Sequence, residues 1–505
     1  MRLYYYPLII VIFAVNSLPA YVIPVGRTDT DPIYEFNREL YLRGYGNPQR
    51  VLFGWLDYPS VQGAIQSTNN LNKITQPLSD LLQGYRVTNQ SASLHLTISP
   101  EYAFSKDSKK IYWMTSSQLD YRASNNITAQ VAYRSDSRLV HDSDYTGKRW
   151  LSTAGYAEMA LLSYAGEKLS IDLGRQRHLW GMANGGNSLI LSSWAMPLDG
   201  ISASYRLNRY VSIHAIAAYL SRSATDSLSR WDVNTVNRYF SAHALRISPA
   251  QWLDIVFKES VVYGGPGRRF ELQYALPLLI YHFEQLNEGS DDNTMFGLEA
   301  VVRYKNRIAG FCEIMLDDYQ IENKTPSDRE PSMYGVLLGG LLFDWPVESS
   351  YWEINYDRVA NWTYDQLYDR NRYIHQNRSL GYSWGPDNDL IRIAYNYHIN
   401  SRFHFGVELS KRRQGEGRIT TPWTTPWLDN PDYSEKFPSG VVRTEKGVRF
   451  KLKYFAKNII QSKLSVEYAD IENDSNIIGN DKGLWKANCE ITFNLPNLSW
   501  RFDHE

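Results

Sequence analysis

Residues 201–219 read Ile-Ser-Ala-Ser-Tyr-Arg-Leu-Asn-Arg-Tyr-Val-Ser-Ile-His-Ala-Ile-Ala-Ala-Tyr, two alternating runs separated by little more than Asn208 and Arg209. Alternation at period two predicts strands over 201–207 and 211–219, and the short polar break predicts a tight hairpin turn. A long polar stretch through Trp231 follows, then strands over 239–247 and 253–261 joined at Ser248-Pro249-Ala250-Gln251, then a longer connection over 264–293. The rhythm continues, with tight turns at Lys305-Asn306-Arg307, Pro346, Asn400-Ser401-Arg402 and Lys457-Asn458 alternating with long loops near Asn323, Tyr368, Trp427 and Asn476. Tight turns at one end and long loops at the other are the pattern of an up-and-down outer-membrane barrel. Counting from Ser91 predicts an all-β transmembrane barrel of about 18 antiparallel strands over 91–505.

The faces of the strands agree. Leu94, Leu96 and Ile98 alternate with Ser93, His95 and Thr97, and Val448, Phe450, Leu452 and Tyr454 alternate with Arg449, Lys451 and Lys453. A soluble sheet would also alternate, but the long apolar runs of a parallel sheet are absent, and 37 Tyr and 15 Trp can supply two interfacial girdles. A mean hydropathy of -0.43 is compatible with a barrel, because lipid meets only every second strand residue. The net charge of -1 offers nothing to the nucleic-acid backbone. The 2 Cys, Cys312 and Cys489, read as packed or lipid-facing thiols, and no Cys and His spacing suits a metal, so neither metal nor cofactor is expected.

Before the barrel the pattern changes. Arg2 followed by the apolar run 8–15 predicts an export signal over 1–20, cleaved after Ser17 or Ala20. Residues 21–90 are expected to be a periplasmic helical segment: Asp31 can cap a helix with Pro32 at its first position, a second carries Val61, Ala64 and Ile65, and a third carries Leu78, Leu81 and Leu82 after Pro77. At the other end, Leu498, Trp500 and Phe502 alternate as an aromatic tail suited to the barrel-assembly machinery, though Asp503-His504-Glu505 follow.

No strong catalytic motif is present, and no enzyme activity is expected. Asp317 and Asp318 are adjacent carboxylates, but neighbouring strand residues point to opposite faces and cannot easily flank one glycosidic bond. His282 and Glu284 read as a structural pair. The loops are richer. One carries Trp362, Tyr364, Tyr368, Arg370, Arg372, Tyr373, His375, Arg378, Tyr382 and Trp384, and the next carries Arg412, Arg413, Arg418, Trp423, Trp427 and Tyr433. Flat rings stack on the apolar faces of sugars, and Arg clamps carboxylates in a fork, so these loops are candidate polysaccharide-binding surfaces. The alternative for any single ring is loop packing or membership of a girdle.

Several separated blocks resemble the capsule-assembly outer-membrane proteins typified by Wzi: Leu173-Gly174-Arg175-Gln176 with Trp180-Gly181 and Leu191-Ser192, Pro197-Leu198-Asp199, the strand end from Glu313 to Asp317-Asp318, the strand from Glu353 to Val359 with Asn361 and Tyr364, and His375 through Leu380-Gly381 to Gly385-Pro386-Asp387. Here Met182-Ala183-Asn184 stand where Pro-Gly usually follows the Trp-Gly pair. The resemblance implies an 18-stranded outer-membrane lectin, with a periplasmic helical segment and extracellular loops, that anchors or organises capsular polysaccharide. Expected partners are extracellular or capsular polysaccharide, outer-membrane lipid and the barrel-assembly machinery, with no nucleic acid. The alternative is a porin-like channel for sugars or oligosaccharides, a size of lumen that such a barrel allows. Two apolar runs, 189–191 and 276–280, are expected to fold inward and obstruct that lumen.

Overall fold

A computed structural model describes residues 22–23, 32–46, 52–54, 56–68, 70–83, 91–105, 108–224, 235–318, 329–430, 433–457, 459–495 and 498–501. The expected signal, the Asp31 cap and Phe502 lie outside them. Eighteen antiparallel strands close a barrel. The first six are β1 (Ser91–Ser105), β2 (Ser108–Arg122), β3 (Ile127–Asp136), β4 (Thr153–Ala165), β5 (Leu169–Gln176) and β6 (Leu198–Arg206). Then come β7 (Val211–Ala224), β8 (Thr235–Ala250), β9 (Leu253–Gly265), β10 (Asn293–Tyr304), β11 (Ile308–Asp318) and β12 (Met333–Phe343). The last six are β13 (Ser350–Val359), β14 (Asn388–His398), β15 (Phe403–Gln414), β16 (Arg443–Ala456), β17 (Ile460–Glu472) and β18 (Lys482–Asn494). β18 closes on β1 through Glu490 opposite Glu101, and the short strand Leu498–Arg501 continues along β1.

The connector rhythm holds. At one end Lys305 and Asn306 both adopt left-handed φ of 49° and 55°, the backbone of a two-residue hairpin turn. The β8–β9 turn differs slightly from expectation: β8 runs to Ala250, and a register shift between Ile247 and Ala250 moves the turn on to Gln251 and Trp252. The wet face is the inner one. Phe450 and Leu452 are exposed on the outside, whereas Arg449 and Lys451 reach Glu408 in the lumen at 3.1 and 2.8 Å. Exposed Tyr205, Tyr210, Trp252, Tyr304 and Trp345 ring the tight-turn end, and Tyr102, Trp113, Tyr133, Tyr219 and Trp485 lie nearer the loop end. These are the two girdles the composition suggested. Cys312 and Cys489 are free thiols, and strand alternation puts both on the outer wall.

Among the described residues three helices precede the barrel, α1 (Pro32–Leu42), α2 (Tyr58–Gln66) and α3 (Asn72–Gln83). α3 starts earlier than the proline suggested, so Pro77 lies within it. Isoleucine and leucine side chains of α1 and α3 pack together with Phe455 and Leu179. α1 is then drawn into the tight-turn mouth by polar contacts with the wall: Arg38 with Glu353 at 3.0 Å, Arg43 with Asp344 at 2.9 Å, Tyr41 Oη with Asp254 at 2.7 Å and Glu39 with His398 at 2.8 Å.

Candidate functional site

The lumen is divided. The β5–β6 connection, residues 177–197, folds into it, and its Leu189, Ile190 and Leu191 are fully buried, as expected of that apolar run. Backbone groups of the inserted segment find charged partners on the wall. Lys258 Nζ donates to the Trp180 carbonyl at 2.7 Å and sits 2.8 Å from both Glu299 and Glu313. Glu299 accepts the Met182 N–H at 2.9 Å, Glu313 accepts the Ser188 hydroxyl at 2.9 Å, and Glu353 accepts the Asn184 amide at 2.9 Å. Each wall carboxylate therefore satisfies a polar group of the plug, which is what burial of such groups demands. A Cβ on Gly181 would stand 3.0 Å from Ser188 Cβ, so the Trp180-Gly181 block is a close-packed anchor.

The loop 360–387 caps this plug. Tyr364 and Tyr373 are fully buried, stacked 5.5 Å apart, and their hydroxyls donate to the Leu189 and Ile190 carbonyls at 2.7 and 2.8 Å. Trp362 and Tyr364 take left-handed φ of 66° and 71°, a strained backbone for bulky side chains. Asp317 holds the second of them by accepting the Tyr364 N–H at 2.6 Å.

Most of the guanidinium groups expected to face a ligand are spent on the fold. Arg372 pairs with Asp365 at 2.7 Å and Asp369 at 2.8 Å, Arg370 pairs with Asp291, and Arg378 pairs with Asp142. Arg413 pairs with Asp389 on the outer wall, and Arg418 donates to the Gly415 and Gly417 carbonyls at 2.7 Å. His375 is buried, its Nδ1 accepting the Ser221 N–H at 2.9 Å. Burial and the nearby Arg238 charge lower its pKa to about 4, so the imidazole is neutral. A loop this long must satisfy its own buried backbone, and sequence composition cannot tell an arginine that does so from one that awaits a ligand.

Two groups of the expected residues do come together at the loop end. Trp362, Trp423 and Trp427 form an edge-to-face nest with centroids 5.3 to 6.1 Å apart, over Glu435, which accepts the Asn361 amide and the Tyr433 hydroxyl. Trp427 itself is buried and serves as the floor of the nest. Separately, the Arg412 guanidinium lies 3.7 Å from the centre of the Trp384 ring, and Trp384 is 49% exposed. The Gly385-Pro386-Asp387 block next to it ties the loops together: Asp387 accepts the Gly417 N–H at 2.8 Å and the Ser439 hydroxyl at 2.7 Å. Gly415 and Gly417 have room for no Cβ, each meeting an oxygen at 2.0 Å. The Gly174-Arg175-Gln176 block also lies at the loop end, where β5 leaves the wall, and there Arg175 clamps Asp199 in a two-point contact at 2.6 and 2.5 Å, and Gln176 donates to Ser202 at 2.9 Å.

Beside the plug a chamber of about 790 Å³ remains, bounded mainly by β13–β18 and β1. That falls in the range of roughly 300–1,000 Å³ that suits a small organic ligand. Trp384, Arg412, Arg443 and Lys482 line its loop end, and Tyr34, Glu35 and Arg38 of α1 line its other end. Eleven Lys and Arg against eight Asp and Glu face it. Many are paired with one another, as Arg449 with Glu467 at 2.8 Å and Arg412 with Glu445 at 3.0 Å, which leaves a net positive, hydrogen-bonding wall. Trp384 and Arg412 were among the residues expected to meet a ligand, whereas the other charged residues of this wall were not. Their signal was in plain view, in the wet positions Arg449, Lys451 and Lys453 and in Lys482, Lys486 and Glu490 at even spacing on β18.

Comparison with known proteins bears on the whole barrel. Among solved structures, Wzi of Escherichia coli, an outer-membrane protein involved in group 1 capsule assembly and described as a carbohydrate-binding β-barrel, superposes with a TM-score of 0.61 at 12% identity, over 95% of this chain and 100% of that one. OccD3 of Pseudomonas aeruginosa reaches a TM-score of 0.45 at 12% identity, over 80% of this chain and 92% of its own. By sequence, no curated protein matches the chain significantly. The profile of the capsule assembly protein Wzi matches residues 90–483, nearly the entire barrel, and the chain is therefore an outer-membrane β-barrel of the Wzi capsule-assembly family.

Proposed function

We propose that this protein is a non-catalytic lectin of the outer membrane that holds an acidic, capsule-type polysaccharide at the cell surface. The observation that carries the reading is the positively charged chamber beside a plugged lumen, with Trp384 and Arg412 at its loop end and α1 across its other end. A ring with a guanidinium beside it suits a sugar bearing a carboxylate, and the chamber gives the chain end or a side branch somewhere to sit. The carbohydrate-binding description of the E. coli relative supports the same chemistry. In this arrangement α1–α3 and the tight turns face the periplasm and the long loops face outward, after export and insertion by the barrel-assembly machinery. The Trp362, Trp423 and Trp427 nest extends the surface beyond the chamber. Inward folding of residues 189–191 and the seating of α1 weigh against the porin-like alternative.

The test is a triple variant, Trp384→Ala, Arg412→Gln and Lys486→Gln, assayed by calorimetry against purified acidic oligosaccharide. Each group contributes on the order of 1 kcal/mol at such a site, so the triple should weaken binding about a hundredfold. Cells carrying it should shed polymer into the medium while still synthesising it. Unchanged affinity in a variant that still shows the heat-modifiable gel shift of a folded barrel would place the ligand elsewhere.

A further inference from the structure

The β9–β10 connection, residues 266–292, does not join the other long loops over the lumen. It turns back and lies against the outer wall of the barrel. Register settles which wall this is. Lys258 and Glu299 point into the lumen, where they meet. Their strand neighbours Glu259 and Leu298 therefore point outward, together with His243 and Phe296, which lie opposite Glu259, and with Tyr239 opposite Tyr263. On that outer face Phe257, Phe296 and Leu298 are 49%, 40% and 42% exposed, as lipid-facing residues are. Glu259, Val261 and Tyr263 of the same face are buried, because the loop covers them.

The covering segment includes a helix, α4 (Tyr281–Glu288). His282 and Glu284 thus belong to a helix and not to a strand, and His282 Nδ1 is bonded to Thr294 at 3.1 Å. Tyr281 packs on His243 at 4.4 Å between centroids, Tyr274 on Tyr263 at 4.7 Å, and Phe270 on Tyr239 at 6.1 Å. Glu259 accepts the Tyr281 and His282 N–H groups at 3.0 and 2.9 Å and lies 3.2 Å from His243. A carboxylate on the lipid side of a barrel is costly. Here the first turn of α4 supplies its hydrogen bonds and the positive end of a helix, and the loop hides it.

The other side of the segment is apolar and uncovered. Leu272, Leu276, Leu278, Ile280, Phe283 and Leu286 are 42% to 82% exposed. This corrects the expectation that residues 276–280 fold inward: the run lies on the outer wall, with Leu276, Leu278 and Ile280 exposed. We propose that residues 272–286 form an amphipathic flap whose outer side is immersed in the acyl chains of the membrane leaflet at the loop end. Lipid is the occupant because the flap continues, without a break, the outward band of Phe257, Phe296 and Leu298, which the barrel already presents to hydrocarbon. Interfacial amphipathic helices have the same division of faces. The charged side chains nearest the descent are compensated within the loop, where Arg268 pairs with both Glu271 and Asp292.

Spin labels at Leu278→Cys and, separately, Phe283→Cys, in a Cys312→Ser, Cys489→Ser background, test this in proteoliposomes of pure phospholipid. Labels at Leu298 and at Ile478, which is 80% exposed in another loop, provide the lipid and water references. The full-length barrel is used, with its fold checked by heat modifiability. The expected result is that both flap labels collide with molecular oxygen more often than with an aqueous nickel complex, close to the Leu298 behaviour. Collision behaviour like that of Ile478 would overturn the proposal. Labels shielded from both probes would overturn it as well, by showing that a second protein copy, not lipid, covers the flap.

Discussion

Lys258 is the residue on which the plug turns. It sits between Glu299 and Glu313, and a buried pair broken by removing one partner leaves the other without compensation. Lys258→Met should therefore destabilise the folded barrel by about 3–5 kcal/mol. The check is a lower melting temperature in detergent together with new protease sensitivity near Trp180. His375 makes a pH-dependent contribution of opposite character, since it is wanted neutral. Its Nδ1 must accept from Ser221, and its folded pKa is about 4, against an ordinary value of about 6.5. Between those two values a released loop binds a proton that the docked loop does not, so docking is at full strength above about pH 6.5 and is progressively lost as pH falls towards 4. Limited proteolysis of the loop 360–387 across that range should show the loss, and His375→Phe should flatten it.

At the scale of elements, α1 is a stopper set by charge. Burial alone would raise the Glu39 carboxyl, but His398 and Arg43 more than offset this and hold it at about 2. Its folded value lies below the ordinary carboxylate range, so its contribution is complete above about pH 4.5 and fades as pH falls towards 2. The variant Arg38→Ala with Arg43→Ala removes the two ion pairs that tie the helix to the wall, those to Glu353 and Asp344, and with them the Arg43–Glu39 pair inside the segment. We expect that variant to raise conductance in planar bilayers well above a near-silent parent; equal currents would mean that α1 is not a barrier. The helix itself was legible from Pro32 at its first position, and the strands from their period-two faces. Its insertion into the barrel was not, because the partners Glu353, Asp254, Asp344 and His398 are each more than two hundred residues away in sequence. The same limit explains the loops. Arg372 and Arg412 look alike in composition, yet one closes on Asp365 seven residues back and the other opens onto the chamber. Local pattern records which face of an element is wet, and not which wet group a distant chain segment will claim.

The whole molecule is a barrel filled unevenly: plug and capping loop occupy one side, a charged chamber of about 790 Å³ occupies the other, and α1 closes the tight-turn end of that chamber. That asymmetry makes a quantitative claim about a polymeric ligand. A purified barrel in detergent offers one chamber and the rim around Trp384, so affinity for acidic oligosaccharides should rise with length only until a fragment fills both, and then level off. Salt should weaken it, because the excess of Lys and Arg over Asp and Glu on the wall is partly solvated and screened at high ionic strength. A membrane holding many barrels differs, since a long polymer can occupy several at once, and the second and later contacts are intramolecular. On proteoliposomes the affinity should therefore keep climbing with polymer length beyond the plateau seen in detergent. Calorimetry on a graded series of fragments in both formats checks this. A rise with length in detergent that never levels off would mean an extended surface track in place of a chamber, and identical curves in the two formats would remove multivalent capture as the means of holding polymer at the cell surface.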